Sequence, residues 1–206
     1  MRTLVHGVGI NDGDWGGQGC TDDQRYRTWG HMLERCYSPR YLAQHPTYQG
    51  CSVDPEWLRF SSFKSWMDSQ RWDGMVLDKD LLVIGNKIYS PETCLFVPPW
   101  INSLLANLST KNRTLPMGVH MHGKSFRARY KSFGKTTSIG IFDSADDAHI
   151  AYRIHRLGEI KTRVDLYCDS RDADPVICAA LLRLHEHEAN QVAKYPPVKA
   201  RPRRRP

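Results

Sequence analysis

Asp78, Lys79 and Asp80 stand together at the end of an apolar run, and Asn102 follows in a segment of helical spacing. Two carboxylates at i and i+2 on a strand point to one side, and the residue between them points to the other. Oxygens so placed, joined by a side-chain amide from a following helix, suit a hard divalent cation, Mg2+ or Mn2+, that clamps a phosphate and stabilises a leaving oxygen. Asp78 and Asn102 are the candidate metal ligands, with Asp80 or Lys79 orienting water or phosphate. The competing reading makes Asp78 and Asp80 solvated strand-end residues, or partners of Lys79 and Lys87.

A second set lies further along. Residues 124–135 hold five basic residues, Lys124, Arg127, Arg129, Lys131 and Lys135, and no acid. On a strand over 125–131, Phe126, Ala128 and Tyr130 face one way while Arg127, Arg129 and Lys131 face the other. His120 or His122, Lys124 and Lys135 join the basic side from adjoining strands and turns. A three-stranded sheet of this kind enters the DNA major groove, about 12 Å wide, where arginine reads guanine edges and lysine neutralises phosphate. The alternative is an ordinary solvated polar face. His120 and His122 lack an evident third metal ligand, and His185 and His187 lie about 200° apart on a helix. Cys20, Cys36 and Cys51 with His31 or His45 form the one scattered set of zinc-ligating types; no CxxC pair supports it.

The elements that must position these groups follow from spacing. Gly13, Gly16, Gly17 and Gly19 mark an opening loop. Thr21 and Asp22 offer an N-cap to a helix with Tyr26, Trp29, Leu33 and Cys36 on one face, ended by Pro39. Asp54-Pro55 starts a second helix carrying Trp57, Phe60, Phe63, Trp66 and Met67, a stripe that reads as core. Residues 75–83 and 94–97 read as strands, and Pro98-Pro99 introduces a helix with Trp100, Leu104, Leu105 and Leu108. Beyond a polar stretch at 109–116, strands over 117–122, 125–131 and 135–141 form a meander with glycine-containing connectors. Ser144 with Asp147 caps a helix whose face is Ala145, Ala148 and Ala151. A further helix covers about 174–193. Residues 194–206, with six Lys/Arg, four Pro and no acid, are expected to be disordered.

Charge divides the chain in the same place. Residues 1–110 carry 10 Lys/Arg against 12 Asp/Glu, a balance of −2, and residues 111–206 carry 19 against 10, a balance of +9. That asymmetry favours a polyanion-binding C-terminal part on a near-neutral N-terminal one. No apolar run of about 18 residues is present, so a membrane span is excluded from the expectation. The N-terminus lacks a signal-peptide pattern, and six cysteines without paired spacing point to reduced thiols. A soluble, cytoplasmic protein is expected.

Two resemblances sharpen this. The run LDKDLLVIGNKIYSPETCLFVPPWIN resembles a divergent ββα-metal core of HNH homing endonucleases. Asp78 falls at that family's metal-ligand Asp, Asn102 at its helix ligand, and Lys79 at the His that activates water. The run MGVHMHGKSFRARYKSFGKTTSIGIFDSADDAHIAYRIHRL resembles an Apetala-type, plant ERF-like DNA-binding domain. Its matching residues are Gly118-Val119, Arg127-Ala128-Arg129, Ile139-Gly140-Ile141-Phe142, Ala148 and Ala151-Tyr152.

Together these imply an α+β chain: an HNH-like domain over 1–108 with added helices, a linker at 109–116, and a three-stranded antiparallel sheet packed on a helix over 117–165. A helical extension at 166–193 and the basic tail at 194–206 complete it. The resemblances imply a homing-endonuclease-like protein of phage or mobile-element type, acting inside a bacterial or infected cell. It would bind double-stranded DNA and cut or nick it with one Mg2+ or Mn2+. Lysine in place of the family's His leaves a non-cutting, nuclease-derived DNA-binding regulator or inhibitor as the rival. An RNA-binding module is a third reading, for which no RNP-like aromatic motif stands in the chain.

Overall fold

The computed structural model describes residues 4–13, 20–106, 114–132 and 134–202. It is a mixed α+β structure of small sheets and six α-helices among those residues, and it divides into two compact units, Met1–Ala106 and Asn107–Pro206. No helix among the described residues is long and apolar enough to cross a membrane. Residues 14–19 of the opening glycine loop, and 107–113, which take in Leu108 and most of the linker expected at 109–116, lie outside the described residues.

In the first unit, helix α1 (Gln24–Tyr37) starts one residue later than the sequence suggests. Asp23, rather than Thr21 or Asp22, accepts the backbone N–H groups of Arg25 and Tyr26. A short helix α2 (Pro39–Gln44) follows, capped by Ser38. The helix expected from Pro55 onward breaks in two: a 3-10 turn over Pro55–Leu58, then α3 (Phe60–Asp68). The break sits at Arg59, where Ile10 bridges in parallel and takes the backbone N–H of Phe60 at 3.0 Å. An invading strand residue thus claims a donor that a continuous helix would use internally.

The aromatic stripe is core, as its spacing indicates. Trp29, Trp57, Phe60 and Phe63 are almost wholly buried, and the Trp29 indole N–H donates to the Trp57 carbonyl at 2.7 Å. Trp57 packs on Trp66 at 4.4 Å between ring centroids, and Trp66 stacks on Phe96 at 5.6 Å. Phe96 belongs to strand β4 (Leu95–Val97), which pairs antiparallel with β2 (Val76–Asp78) in the register Asp78↔Leu95. The aromatic core therefore holds the strand pair that carries Asp78. Strands β1 (Ser52–Val53) and β3 (Ile88–Tyr89) form a second, parallel pair, and helix α4 (Pro99–Ala106) packs against β2.

The second unit is a three-stranded antiparallel sheet ordered β5 (Val119–His122), β6 (Ser125–Ser132), β7 (Lys135–Phe142). Helix α5 (Ala145–Cys168) lies across one face. Small residues set that approach: Ala128 on β6 and Ala148 on α5 are fully buried, with Ala151 nearly so. Gly118 completes it, with φ +78° and a position where a Cβ would lie 2.1 Å from the Tyr152 ring. Glycine is needed there for both backbone and space, which gives Gly118 and Tyr152 a shared physical role. The Ser144 hydroxyl accepts the Asp147 backbone N–H at 3.0 Å and donates to its carboxylate at 2.8 Å, fixing the start of α5. Helix α6 (Pro175–Val192) packs on α5, where Arg153 and Arg156 converge on the buried Glu188 at 3.0 and 3.3 Å.

The tail departs from expectation. Residues 198–201 lie against the sheet: Val198 joins the core between sheet and helix, and the Arg201 N–H donates to the Ile141 carbonyl at 2.8 Å. The segment thereby gains a backbone partner at the outer edge of β7. Residues 203–206 lie outside the described residues.

Candidate metal centre and nucleic-acid interface

Asp78 closes β2 and is 4% exposed. Its Oδ1 accepts the backbone N–H groups of Asp80 at 2.9 Å and Leu81 at 2.7 Å. That turn is why the strand stops at 78 rather than running to 83: the carboxylate takes donors that an extended strand would give to a neighbour. The expected side-by-side display of Asp78 and Asp80 on one pleat is corrected accordingly. Asp78 points inward, and Asp80 stands on the turn with its side chain 42% exposed. Burial pushes the Asp78 carboxyl up from its ordinary value, Asp80 adds to the rise, and the two amides oppose it.

Lys79 also turns inward, to 6% exposure. Its ammonium donates to Asp80 Oδ1 and to the Asn86 carbonyl, each at 2.6 Å, and lies 5.8 Å from the centre of the Tyr89 ring. Both hydrogen bonds require Nζ as the donor. In this geometry Lys79 ties the two ends of the 79–86 loop together. Asn86 completes the tie, its amide donating to the Lys79 and Ile88 carbonyls at 2.9 and 2.6 Å. Thr93 adds a bond from its hydroxyl to the Ile88 carbonyl at 2.7 Å. In the sequence Gly85-Asn86 reads as a turn and Thr93 carries no assigned role. The signal was there in residue type, since both side chains satisfy backbone groups in irregular segments.

Asn102 is half-buried on α4, between Ile101, which is fully buried, and the exposed Ser103. The packing of α4 on β2 brings the Asn102 helix alongside the strand that ends in Asp78. The donor set is one carboxylate and one amide oxygen. Those are oxygen-ligand types that Mg2+ or Mn2+ take, while the Asp78 carboxylate is buried and its Oδ1 already accepts two backbone amides. Among the described residues no group of three or more His, Cys, Asp or Glu converges. The scattered zinc set is not assembled: His31 and His45 are exposed, and Cys36 is buried, its thiol pushed up to about 12 by burial and then by Cys51. Burial likewise pushes the Cys94 thiol up to about 12.

The sheet in the second unit sorts its residues by register. Val119 pairs with Ala128 and Met121 with Phe126 on the helix side, so His120↔Arg127 and His122↔Ser125 fall on the opposite face. Across β6, Arg127↔Ile141, Arg129↔Ser138 and Lys131↔Thr136 continue that face. A bulge at Ala128/Arg129 inserts Ile139 and keeps it on the core side. His120, His122, Arg129 and Lys131 are exposed, and Arg127 is half-buried. Lys124 stands exposed on the β5–β6 turn. Lys135 is corrected: it pairs with Ser132, two residues on from Tyr130, so it projects from the other side. His185 is half-buried and His187 exposed, both on α6.

One Arg127 guanidinium nitrogen contacts the His122 ring at 2.9 and 3.0 Å, while its Nε is buried without a hydrogen-bond partner. A groove of about 790 Å3 opens beside it, lined by His122, Arg127, Ser138, Ile141 and, from the tail, Arg201 and Pro202. Comparison with protein-family models, with curated proteins and with solved structures finds no match to this chain in any of the three.

Proposed function

We propose that this protein binds double-stranded DNA through the β5–β7 sheet and cleaves or nicks it at the Asp78 turn, as a metal-dependent phosphodiesterase of the HNH homing-endonuclease kind. The observation that carries the reading is the basic row of His120, His122, Arg127, Arg129 and Lys131 on a sheet face whose reverse side is filled by α5. A sheet anchored from behind by a helix offers a rigid surface to a groove, and rigid elements place base-reading side chains more accurately than loops do. Arg127 and Arg129 are assigned base edges, and Lys124 and Lys131 phosphates. The antiparallel pair β2–β4 followed by α4 has the strand–loop–strand–helix order of the ββα resemblance, which supports an HNH-type core.

For cleavage, Asp78 and Asn102 would hold Mg2+ or Mn2+, which supplies Lewis-acid stabilisation of charge on the phosphate oxygens. With Lys79 fixed as a donor, the water-orienting role passes to Asp80. Its Oδ1 is held by Lys79 and its side chain is 42% exposed, so Oδ2 would be the oxygen that orients a water. As the water oxygen bonds phosphorus and the bridging P–O bond breaks, that carboxylate would take the water proton and the departing oxygen would take one from solvent.

A second reading keeps binding and drops cutting; the inward-turned Lys79 in the His position favours it. The test is nicking of supercoiled plasmid carrying a site selected by the protein from a randomised pool. Wild-type protein is expected to nick with Mg2+ or Mn2+, and Asp78→Ala to bind the site without nicking. An uncut plasmid with both metals makes the non-cutting regulator the correct reading, and absence of any selected site removes both.

A further inference from the structure

Cys168 ends α5 and Cys178 stands one turn into α6; the other four cysteines belong to the first unit. The register of the helical hairpin brings the pair together. At its closed end the Asp174 backbone N–H donates to the Tyr167 hydroxyl at 3.2 Å, and further along Arg153 reaches Glu188 at 3.0 Å. These two contacts are separated by the same number of residues on each helix, so α5 and α6 run antiparallel without slippage. Val164 and Tyr167 on α5 and Ile177 and Leu181 on α6 are buried along the seam. Cys168, next to Tyr167, and Cys178, next to Ile177, are both half-buried at its rim, and there the two side chains hydrogen-bond to each other.

The two sulfurs are not equivalent. Burial, and then the hydrogen bond to Cys178, push the Cys168 thiol up to about 12, with Asp169 and Asp165 adding to the rise. Cys168 therefore keeps its proton and donates it, and the Cys178 sulfur accepts. A thiol donating to a second sulfur is an arrangement in which one sulfur attacks and the other resolves. The remaining cysteines are placed differently: Cys36, Cys51 and Cys94 are buried, and Cys20 hydrogen-bonds the Tyr26 side chain. Among the described residues no third His, Cys, Asp or Glu joins the pair as a metal-holding group, so its chemistry is that of a dithiol.

We propose that Cys168 and Cys178 form a reversible redox site, which a low-molecular-weight disulfide such as glutathione disulfide oxidises to an intramolecular bond that clamps α6 to the end of α5. The Cys178 thiolate attacks one glutathione sulfur, forming a mixed disulfide and releasing the first glutathione thiolate. Cys168 then attacks the Cys178 sulfur, forming the Cys168–Cys178 bond and expelling the second. The two cysteine protons pass to the two glutathione thiolates, and the two electrons lost by the cysteine pair are gained by glutathione disulfide. The new bond ties together two helices that the folded state already holds side by side, so it constrains the unfolded chain and disfavours unfolding of the second unit. The site is independent of the DNA-binding reading.

Arg171 lies between the two cysteines, so trypsin separates residues 164–171 from 172–183 unless a disulfide joins them. The full chain, folded, is treated with glutathione disulfide, its remaining thiols are blocked with iodoacetamide, and its tryptic peptides are mapped by mass spectrometry without reduction. Most molecules are expected to give the joined peptide, which dithiothreitol separates, and Cys36, Cys51 and Cys94 are expected to be left as free thiols. Cys168→Ser should stop at a glutathione adduct on Cys178, whereas Cys178→Ser should take up glutathione at Cys168 about tenfold more slowly. Oxidation should raise the melting midpoint of wild type and of neither single variant. A joined peptide that forms only in urea, or a wild-type adduct on Cys178 that never closes onto Cys168, overturns the site. Equal uptake by the two single variants overturns the order of attack, and an oxidised wild type with an unmoved midpoint overturns the clamp.

Discussion

Asp78 is a carboxylate held where a neutral group would be more comfortable. Its Oδ1 serves two backbone amides, a task an asparagine oxygen performs equally well, while burial disfavours its charge. Because its folded value is raised, Asp78 favours the native state fully below the ordinary carboxylate value near 3.9, and that contribution is lost as pH rises through the folded value. Asp78→Asn should therefore melt above wild type at neutral pH without metal, with the advantage shrinking in acid. Added Mg2+ should raise the melting temperature of wild type and not of the variant, since an ion that binds only the folded state stabilises it. Thermal melts at neutral and acidic pH, with and without Mg2+, check both halves. A variant that melts below wild type at neutral pH would assign Asp78 to stability rather than to a cation.

Among the elements, β6 and α5 owe their close approach to residues that lack bulk, and Gly118 is the tightest case. Gly118→Ala combines a left-handed backbone position with overlap on the Tyr152 ring, and should lose about 2–4 kcal/mol in urea unfolding. Gly123→Ala is the control. It shares the positive φ, at +60°, with nothing near its absent Cβ, so strain of about 1 kcal/mol is all it should show. Equal losses would mean that the ring contact contributes nothing. The elements also divide by how local their causes are. The Ser144 cap, the Trp57–Met67 stripe and the alternation on β6 are written within a few residues of where they act, and were legible in sequence. The stop of β2 at Asp78, the break at Arg59 and the seat of the tail depend on partners remote in the chain, Ile10 for the break and Ile141 for the tail, or on one side chain choosing backbone over solvent. Lys135 was misplaced because hairpin register, which alternation alone leaves free, decides its side. Lys79 was legible as a replaced base, but its burial against Asn86 was not.

At the scale of the whole molecule, each unit carries a hydrophobic core of its own among the described residues, and the two units differ in charge. One core runs from Trp29 to Phe96 within the first unit, and the other joins Met117, Ala128, Phe142 and Tyr152 within the second. No residue is shared between them, while the charge balance steps from −2 before residue 111 to +9 after it. Units with their own cores unfold on their own terms, so calorimetry of the full chain should resolve two transitions. Asp78→Asn should move one and Gly118→Ala the other, and the effects of the double variant should add within about 0.5 kcal/mol. Duplex DNA then becomes a probe of where affinity resides. If the basic face supplies it, duplex should raise the transition that Gly118→Ala lowers, and the rise should fade with salt as phosphate contacts are screened. A rise confined to the other transition would place DNA affinity in the near-neutral unit and remove the sheet from the interface, because a ligand stabilises only the unit whose folded state it grips.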